Sequence, residues 1–285
     1  MRDSIAIQAP AKINLFLKVL LRRPDGYHDI YSLLQTVSLY DELTFSRIEQ
    51  GIELEIDGAD LPADENNLVW RAAQLMKEQT GLTGGLHIEL TKRIPIGAGL
   101  GGGSSDAAST LLALKELFEL DIGPPDLSAW AAKLGSDVPF FLSRGQALIS
   151  GRGEIVEEVE LPTDYQVLLI APNFSVSTAW AYQQLRIRLT SDSAAPSFRS
   201  GTRRQGFYQQ LQRIGNDFEP AVVAEFPEIG VLLDGLRRAG AGYVALTGSG
   251  SALFGLFAGD LTPDALATMK TMPDVRTFMV RPVCR

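Results

Sequence analysis

At 285 residues the chain is long enough for two domains, and its 45% apolar content, with a mean hydropathy near zero, can fill ordinary cores. Its 26 basic and 34 acidic residues leave a net charge of −8 without a basic stripe, which excludes long nucleic acids as expected partners. The single cysteine, Cys284, permits no internal disulfide, two histidines make a His-based zinc site unexpected, and neither a membrane-spanning run nor a signal peptide is apparent, so a cytoplasmic protein is expected.

Residues 9–20, APAKINLFLKVL, alternate with period two. Ala11, Ile13, Leu15, Leu17 and Val19 point one way and Lys12, Asn14, Phe16 and Lys18 the other, which predicts an early strand. The turn-rich RRPDGYHD follows at 22–29, then SLLQTVSLYDELTF and GIELEID as further strands. ENNLVWRAAQLMKEQTG predicts a helix begun near Asn66 or Asn67 and stopped by Gly81, with Leu68, Ala72, Leu75 and Met76 on one face. The strand LHIEL comes next, its His87 on a solvated face opposite Leu86, Ile88 and Leu90.

The glycine-rich PIGAGLGGGSSDAA at 95–108 then runs into a helix, for which Ser104, Ser105 and Asp106 are candidate N-caps and Ala108, Leu111, Leu112, Leu114, Leu117 and Phe118 an apolar stripe. DLSAWAAKLG predicts a helix, DVPFFLSRG a short element and QALISG a strand. A new β-run, YQVLLIAPN, begins at 165, and the domain boundary is expected between 1–157 and 158–285. Residues 190–206, TSDSAAPSFRSGTRRQG, read as a mobile loop. A helix near 228–239, the glycine-rich GYVALTGSGSALFGLF, a helix at about 263–271 and a final strand close the chain.

Glycines at 97, 99, 101, 102 and 103 remove side chains that would keep backbone N–H groups away from an anion, and the helix that follows favours negative charge at its start. Phosphate binding is the chemistry implied, with a tightly packed turn as the plain alternative. Gly97-x-Gly99-x-x-Gly102 satisfies the dinucleotide fingerprint, yet KRIP separates it from the preceding strand and no clear βαβ unit follows. Gly97-x-x-x-x-Gly102 followed by Gly103 and Ser104 is like a Walker A sequence, except that glycine stands where its lysine should.

The segment instead resembles the phosphate loop of the GHMP kinases. PAKINLFLKV near the N-terminus, LGSDVPFFL at 134–142 and ALTGSGSALFGLF at 245–257 are similar to the family's other motifs, in the expected order and across both expected domains. The PDGYH element at 24–28 is similar to the branch whose acceptor is a cytidine-diphosphate-linked methylerythritol. The resemblance implies an α+β, two-domain fold: an N-terminal ribosomal protein S5 domain 2-like ATP-binding domain and a C-terminal ferredoxin-like α/β sandwich. It implies an enzyme that uses ATP and Mg²⁺ to phosphorylate the 2-hydroxyl of that acceptor in non-mevalonate isoprenoid synthesis, with no all-protein site for the metal located and the Ser104 hydroxyl as one candidate ligand. ATP and the small-molecule acceptor are the expected partners, without nucleic acid or membrane, for a monomer or homodimer. A homoserine or mevalonate acceptor, or nucleotide binding without catalysis, are the alternatives, and the presence of both Lys12 and Asp137 argues against the last.

By the same resemblance, Lys12 stands beside the reacting hydroxyl, Asn14 holds the erythritol part and Asp137 is the general base; from residues alone, a solvated strand face and a helix N-cap serve as well. Tyr27 and Tyr182 would stack on the cytosine, with Trp180 as competitor for the second position, and His28 would hydrogen-bond the base edge; an ordinary turn and plain core are the alternatives. Asn67, Leu68 and Lys92 would lie on the adenosine side, with a helix cap and a solvated lysine as the alternatives, and Pro95, Gly97, Gly99, Gly101, Gly102, Gly103, Ser104 and Ser105 would hold the ATP phosphates. Thr247, Gly248, Ser249 and Gly250 form a second glycine loop expected to close over the substrate or the phosphates, or else a tight hairpin.

Overall fold

The computed structural model describes residues 3–185, 195–259 and 274–284, and the chain divides into two compact units that are interleaved in sequence. One comprises Met1–Ala11, Leu39–Ile94 and Gly101–Arg144; the other comprises Lys12–Ser38, Pro95–Leu100 and Gly145–Arg285. Two long strands, β1 (Ser4–Arg22) and β2 (His28–Ile48), supply residues to both.

In the first unit the later part of β2 pairs antiparallel with β4 (Gly85–Thr91), with Glu42 opposite Thr91, and β4 pairs in parallel with β3 (Ile52–Asp57), with Ile52 opposite Leu86. Leu43 and Phe45 of β2 and Leu86, Ile88 and Leu90 of β4 are buried, the period-two arrangement that places every second side chain in the core. His87 points the other way, half-buried, with Nδ1 3.5 Å from Glu53 on the neighbouring strand. Helix α1 (Leu68–Thr80) begins as the sequence predicts: the Asn67 side chain accepts the Val69 N–H at 2.9 Å, and Gly81 ends the helix at a φ of 67°. Its buried stripe is Val69, Ala72, Ala73 and Met76, displaced slightly from the expected face.

Helix α2 (Gly102–Leu117) is the inner helix of this unit, touching α1, α3 (Pro124–Leu134) and a 3-10 turn at Pro139–Leu142. Its residues from Ser105 to Leu111 are buried on every side. The expected capping by Ser104, Ser105 and Asp106 is therefore corrected: the cap is Gly101, at a φ of 70°, and those three residues lie inside the helix. Burial of Ser105 and Asp106 against tertiary neighbours extends the helix back through two glycines, against their weak intrinsic propensity.

In the second unit, β5 (Gln146–Ser150) pairs antiparallel with Ser32–Gln35 of β2 and with β6 (Ile155–Glu158). The expected domain boundary at 157/158 falls inside β6. A separate antiparallel sheet runs in the order β10-β7-β9-β8. Its strands are β7 (Gln166–Pro172), β8 (Tyr243–Leu246), β9 (Leu253–Phe257) and β10 (Val275–Val280), interleaved in sequence with α4 (Thr178–Gln184), α5 (Arg204–Ile214), α6 (Glu219–Glu225) and α7 (Pro227–Arg238). The inner strands β7 and β9 are buried nearly throughout, and α7 lays Ile229, Leu232, Leu233 and Leu236 against β8 and β9.

The expected loop at 190–206 is shortened at its end, because α5 begins at Arg204. Phe198 anchors the preceding stretch, its ring 5.5 Å from Phe16 and 6.5 Å from Phe207. Residues 190–194 and the helix expected at 263–271 lie outside the described residues. Among the described residues no helix is long and apolar enough to cross a membrane.

Candidate active site

β1 is buried on both faces over residues 11–17, so Lys12 and Asn14, each 4% exposed, do not sit on a solvated strand face. A buried ammonium needs polar partners. Lys12 Nζ donates to Asn14 Oδ1 at 2.6 Å, and Asn14 Nδ2 donates to Ser32 Oγ at 2.8 Å, whose own proton goes to the Phe16 carbonyl at 2.7 Å. The backbone N–H of Asn14 donates to Thr247 Oγ1 at 3.0 Å. The Thr247 hydroxyl also lies 3.3 Å from both Asn14 Oδ1 and the Gly99 carbonyl. Three expected site residues, Lys12, Asn14 and Thr247, thus form one hydrogen-bonded chain.

The two glycine stretches meet in this unit. The Ala252 N–H donates to the Ala98 carbonyl at 3.1 Å, and the Lys12 N–H to the Leu100 carbonyl at 2.9 Å. A Cβ on Gly99, whose φ is 80°, would stand 2.3 Å from the Thr247 carbonyl oxygen; one on Gly97, φ 68°, would stand 3.2 Å from Ser175. Gly248, at a φ of 60°, would bring a Cβ within 3.4 Å of Gly99. Ser249 Oγ pairs with Thr178 Oγ1 at 3.0 Å, tying this second loop to the first residue of α4.

α4 carries Tyr182 into a cavity of about 680 Å³ lined also by Arg22, Tyr27, His28, Arg152 and Thr178. The His28 ring stacks on Tyr182 at 4.7 Å and 17°, while Phe218 meets Tyr182 edge-on at 4.9 Å and 85°. Tyr27 is 55% exposed, with the Arg152 guanidinium 4.7 Å from its ring centre. Burial, aided by the nearby Arg22 charge, pushes the His28 pKa down, so near neutrality its imidazole offers one donor and one acceptor. Trp180 instead packs edge-on against Phe226 at 5.8 Å.

The expected nucleotide residues of the first unit surround the start of α2. Asn67 is the α1 cap, and the Leu68 Cδ1 atom would be 3.5 Å from a Cβ on Gly103. Lys92 is not a solvated lysine. Its ammonium is buried between Asp41 and Asp106, at 2.7 Å from Asp106 Oδ2, and would be 3.2 Å from a Cβ on Gly102. Asp41 also accepts the N–H groups of Arg93 at 2.6 Å and Ile94 at 2.9 Å. Burial raises the Asp106 carboxyl to about 7; the Lys92 charge opposes that rise and Asp41 adds to it. Pro95 is buried in the second unit, and Ser104 is half-buried in the first turn of α2. Asp137, half-buried, lies in the turn between α3 and the 3-10 segment; the residue preceding that segment is Val138, so Asp137 is not its cap.

Asp41, Asp106, Ser32, Arg152, Asn216 and Phe218 escape sequence reasoning as site residues. Each lacks a motif of its own, and what marks it is a contact with a residue 14 or more positions away in the chain. Asp41 lies between Tyr40 and Glu42 in β2, where a second carboxylate beside it hides any local signal.

Residues 67–145 match the description "GHMP kinases N terminal domain" and residues 201–269 match "GHMP kinases C terminal". A protein of Chlorobium phaeobacteroides named 4-diphosphocytidyl-2-C-methyl-D-erythritol kinase is 42% identical over 257 residues, covering 89% of each chain. One of Syntrophotalea carbinolica with the same name is 41% identical over 278 residues, covering 96% of this chain and 98% of its own. A crystal structure of 4-(cytidine 5'-diphospho)-2C-methyl-D-erythritol kinase superposes with a TM-score of 0.79 at 34% identity, over 97% of this chain and 99% of that one. Homoserine kinase from Cytophaga hutchinsonii shares the fold, with a TM-score of 0.74 at 22% identity over 100% of this chain and 96% of that one. The order of motifs, the two-unit α+β fold and these likenesses agree, and the chain belongs to the GHMP kinases, in the group of the 4-diphosphocytidyl-2-C-methyl-D-erythritol kinases.

Proposed function

We infer that the protein transfers the γ-phosphoryl group of ATP to the 2-hydroxyl of 4-diphosphocytidyl-2-C-methyl-D-erythritol, giving the 2-phosphate and ADP, as a cytoplasmic enzyme of isoprenoid precursor synthesis. The observation that carries this reading is the cavity in which Tyr27, His28 and Tyr182 gather. Flat rings and a neutral imidazole suit a pyrimidine: the rings supply stacking and the imidazole a donor and an acceptor for the base edge. Arg22 and Arg152 in the same cavity suit the diphosphate that follows the base, in a chain whose overall charge would otherwise repel it.

Lys12 is assigned the reacting hydroxyl. Its ammonium, held by Asn14 and backed by Thr247, favours the ionising alcohol and balances charge moving through the transferring group. Asp137 is assigned as the base that takes the hydroxyl proton late in a loose transfer. Gly101, Gly102, Gly103 and Ser104 are assigned the nucleotide phosphates, with Ser105 buried behind them in α2. The fit is best seen at Gly103, which is helical and exposed, with only Leu68 in ordinary contact range of an added Cβ. Nothing in the protein's own packing requires a glycine there, and a helix interior prefers alanine by about 0.5–1 kcal/mol. A ligand lying against the helix start supplies the missing reason. Mg²⁺ would arrive with the nucleotide and neutralise its phosphates; no protein ligand is assigned to it.

The test is ADP release with the cytidine-linked acceptor, mevalonate and homoserine offered in parallel. Turnover of the first alone is expected, and turnover of either other alcohol in its place rejects the reading. In the same assay Asp137→Asn should lose about 100-fold or more in kcat while retaining nucleotide affinity. Normal turnover by that variant removes Asp137 from its role.

A further inference from the structure

The segment Asn216–Glu219, which leads from α5 into the first residue of α6, binds three parts of the second unit at once. The Asn216 amide nitrogen donates to the carbonyls of Leu246 at 2.8 Å and Gly248 at 2.9 Å, the residues on either side of Thr247. Asn216 Oδ1 accepts the N–H of Phe218 at 2.9 Å, which fixes the amide's orientation. Asp217 holds β1, accepting the Val19 N–H at 2.8 Å and pairing with Lys18, while its own N–H donates to the Leu17 carbonyl at 2.9 Å. Phe218, fully buried, supports the edge of Tyr182, and Glu219 accepts the Leu246 N–H at 3.0 Å.

We propose that Asn216 and Phe218 are positioning residues that set the span of the acceptor site, Asn216 at its lysine end and Phe218 at its ring end. Asn216 acts through Thr247: with the carbonyls on both sides fixed, the Thr247 hydroxyl stays on Asn14, and Asn14 stays on Lys12. Phe218 acts through Tyr182 and the stacked His28. Two residues apart and joined by the 2.9 Å bond, they move as one piece. That piece is in turn fastened to β1, the strand that carries Lys12. The distance from the ring stack to the reacting ammonium is then a property of this short segment, and it matches one length of acceptor better than others. The proposal rests on the reading that Tyr182 and His28 hold the base and Lys12 the hydroxyl.

The two ends predict opposite kinetic signatures. Asn216→Ala should lower kcat about tenfold or more, as misplacement of a reacting group does, and change the dissociation constant of cytidine 5'-diphosphate by less than about twofold. Phe218→Leu should weaken cytidine 5'-diphosphate and raise the acceptor KM by about 3- to 10-fold, the worth of an edge-on aromatic pair, with kcat nearly unchanged. Neither should alter KM for ATP. Asn216→Ser, which keeps one donor, should fall between wild type and Asn216→Ala and stands in for it if the latter does not fold. Equal changes in kcat, acceptor KM and ATP KM in both variants would mean general loosening, and no change in either would mean no role; each overturns the proposal. Binding of cytidine 5'-diphosphate is measured independently of turnover. A wild-type chain that binds it yet phosphorylates a different alcohol rejects the acceptor assignment alone, and the kinetic split is then read with that alcohol. A wild-type chain that does not bind it overturns the ring-end assignment.

Discussion

The glycine-rich segment contains two kinds of glycine. At 97 and 99 the chain is in the left-handed region, and an added Cβ would run into Ser175 or the Thr247 carbonyl, so the protein's own backbone demands glycine there. At 103 the backbone is helical and the space beside it nearly free, so the described packing makes no demand for glycine there, and the proposed nucleotide would. Gly102 is intermediate, because Lys92 and Ile94 occupy the space its side chain would need. A run of glycines that looks uniform in sequence therefore joins an element that packing demands to one that it does not, and only the second is proposed to face the nucleotide.

The sharpest way to break this comparison is Gly99→Ala. Left-handed strain together with the clash on Thr247 should cost about 3 kcal/mol or more of unfolding free energy, read by chemical denaturation. A variant as stable as wild type would show that the two loops do not need their close approach. Gly103→Ala should do the reverse, raising KM for ATP about tenfold by overpacking the ligand while leaving stability unchanged or higher by about 0.5–1 kcal/mol. Loss of stability without loss of nucleotide affinity would move Gly103 into the packing class.

The smallest effect concerns the support beneath Gly102. Burial raises the Asp106 carboxyl above its unfolded value, so the folded protein holds a proton there that the unfolded chain has released between about pH 4 and 7. That contribution is fully present at the acid end of the window and is lost as pH rises toward 7. Asp106→Asn should flatten the fall in unfolding midpoint across this range. An unchanged pH profile would mean that Lys92 keeps Asp106 ionised throughout.

Local order was legible wherever short-range chemistry decides it. Asn67 and Gly81 mark the ends of α1 because a capping side chain and a left-handed glycine act within one turn of helix. Period two marks β1, yet it could not say that both faces are covered, since burial depends on residues far along the chain. That is why a solvated face was the simplest reading for Lys12 and Asn14. The start of α2 was misplaced for the same reason: propensity favours Ser104 to Asp106 as caps, and tertiary burial of Ser105 and Asp106 overrules it. Asp41, Asn216 and Phe218 carried no motif at all, because the partners that tie them to Lys92, Leu246 and Tyr182 are 30 or more residues distant.

Family membership was determined by the sequence alone, since the order and spacing of AKINLFLKV, PDGYH, GLGGGSSDAA, GSDVPFF and the second glycine loop are properties of the chain as written. Only the tertiary structure decided which glycines serve packing, that Tyr182 rather than Trp180 enters the ring cavity, and that Lys92 is held between two carboxylates. Each of these depends on which distant backbone and side-chain atoms fill a given space, and no local propensity encodes that.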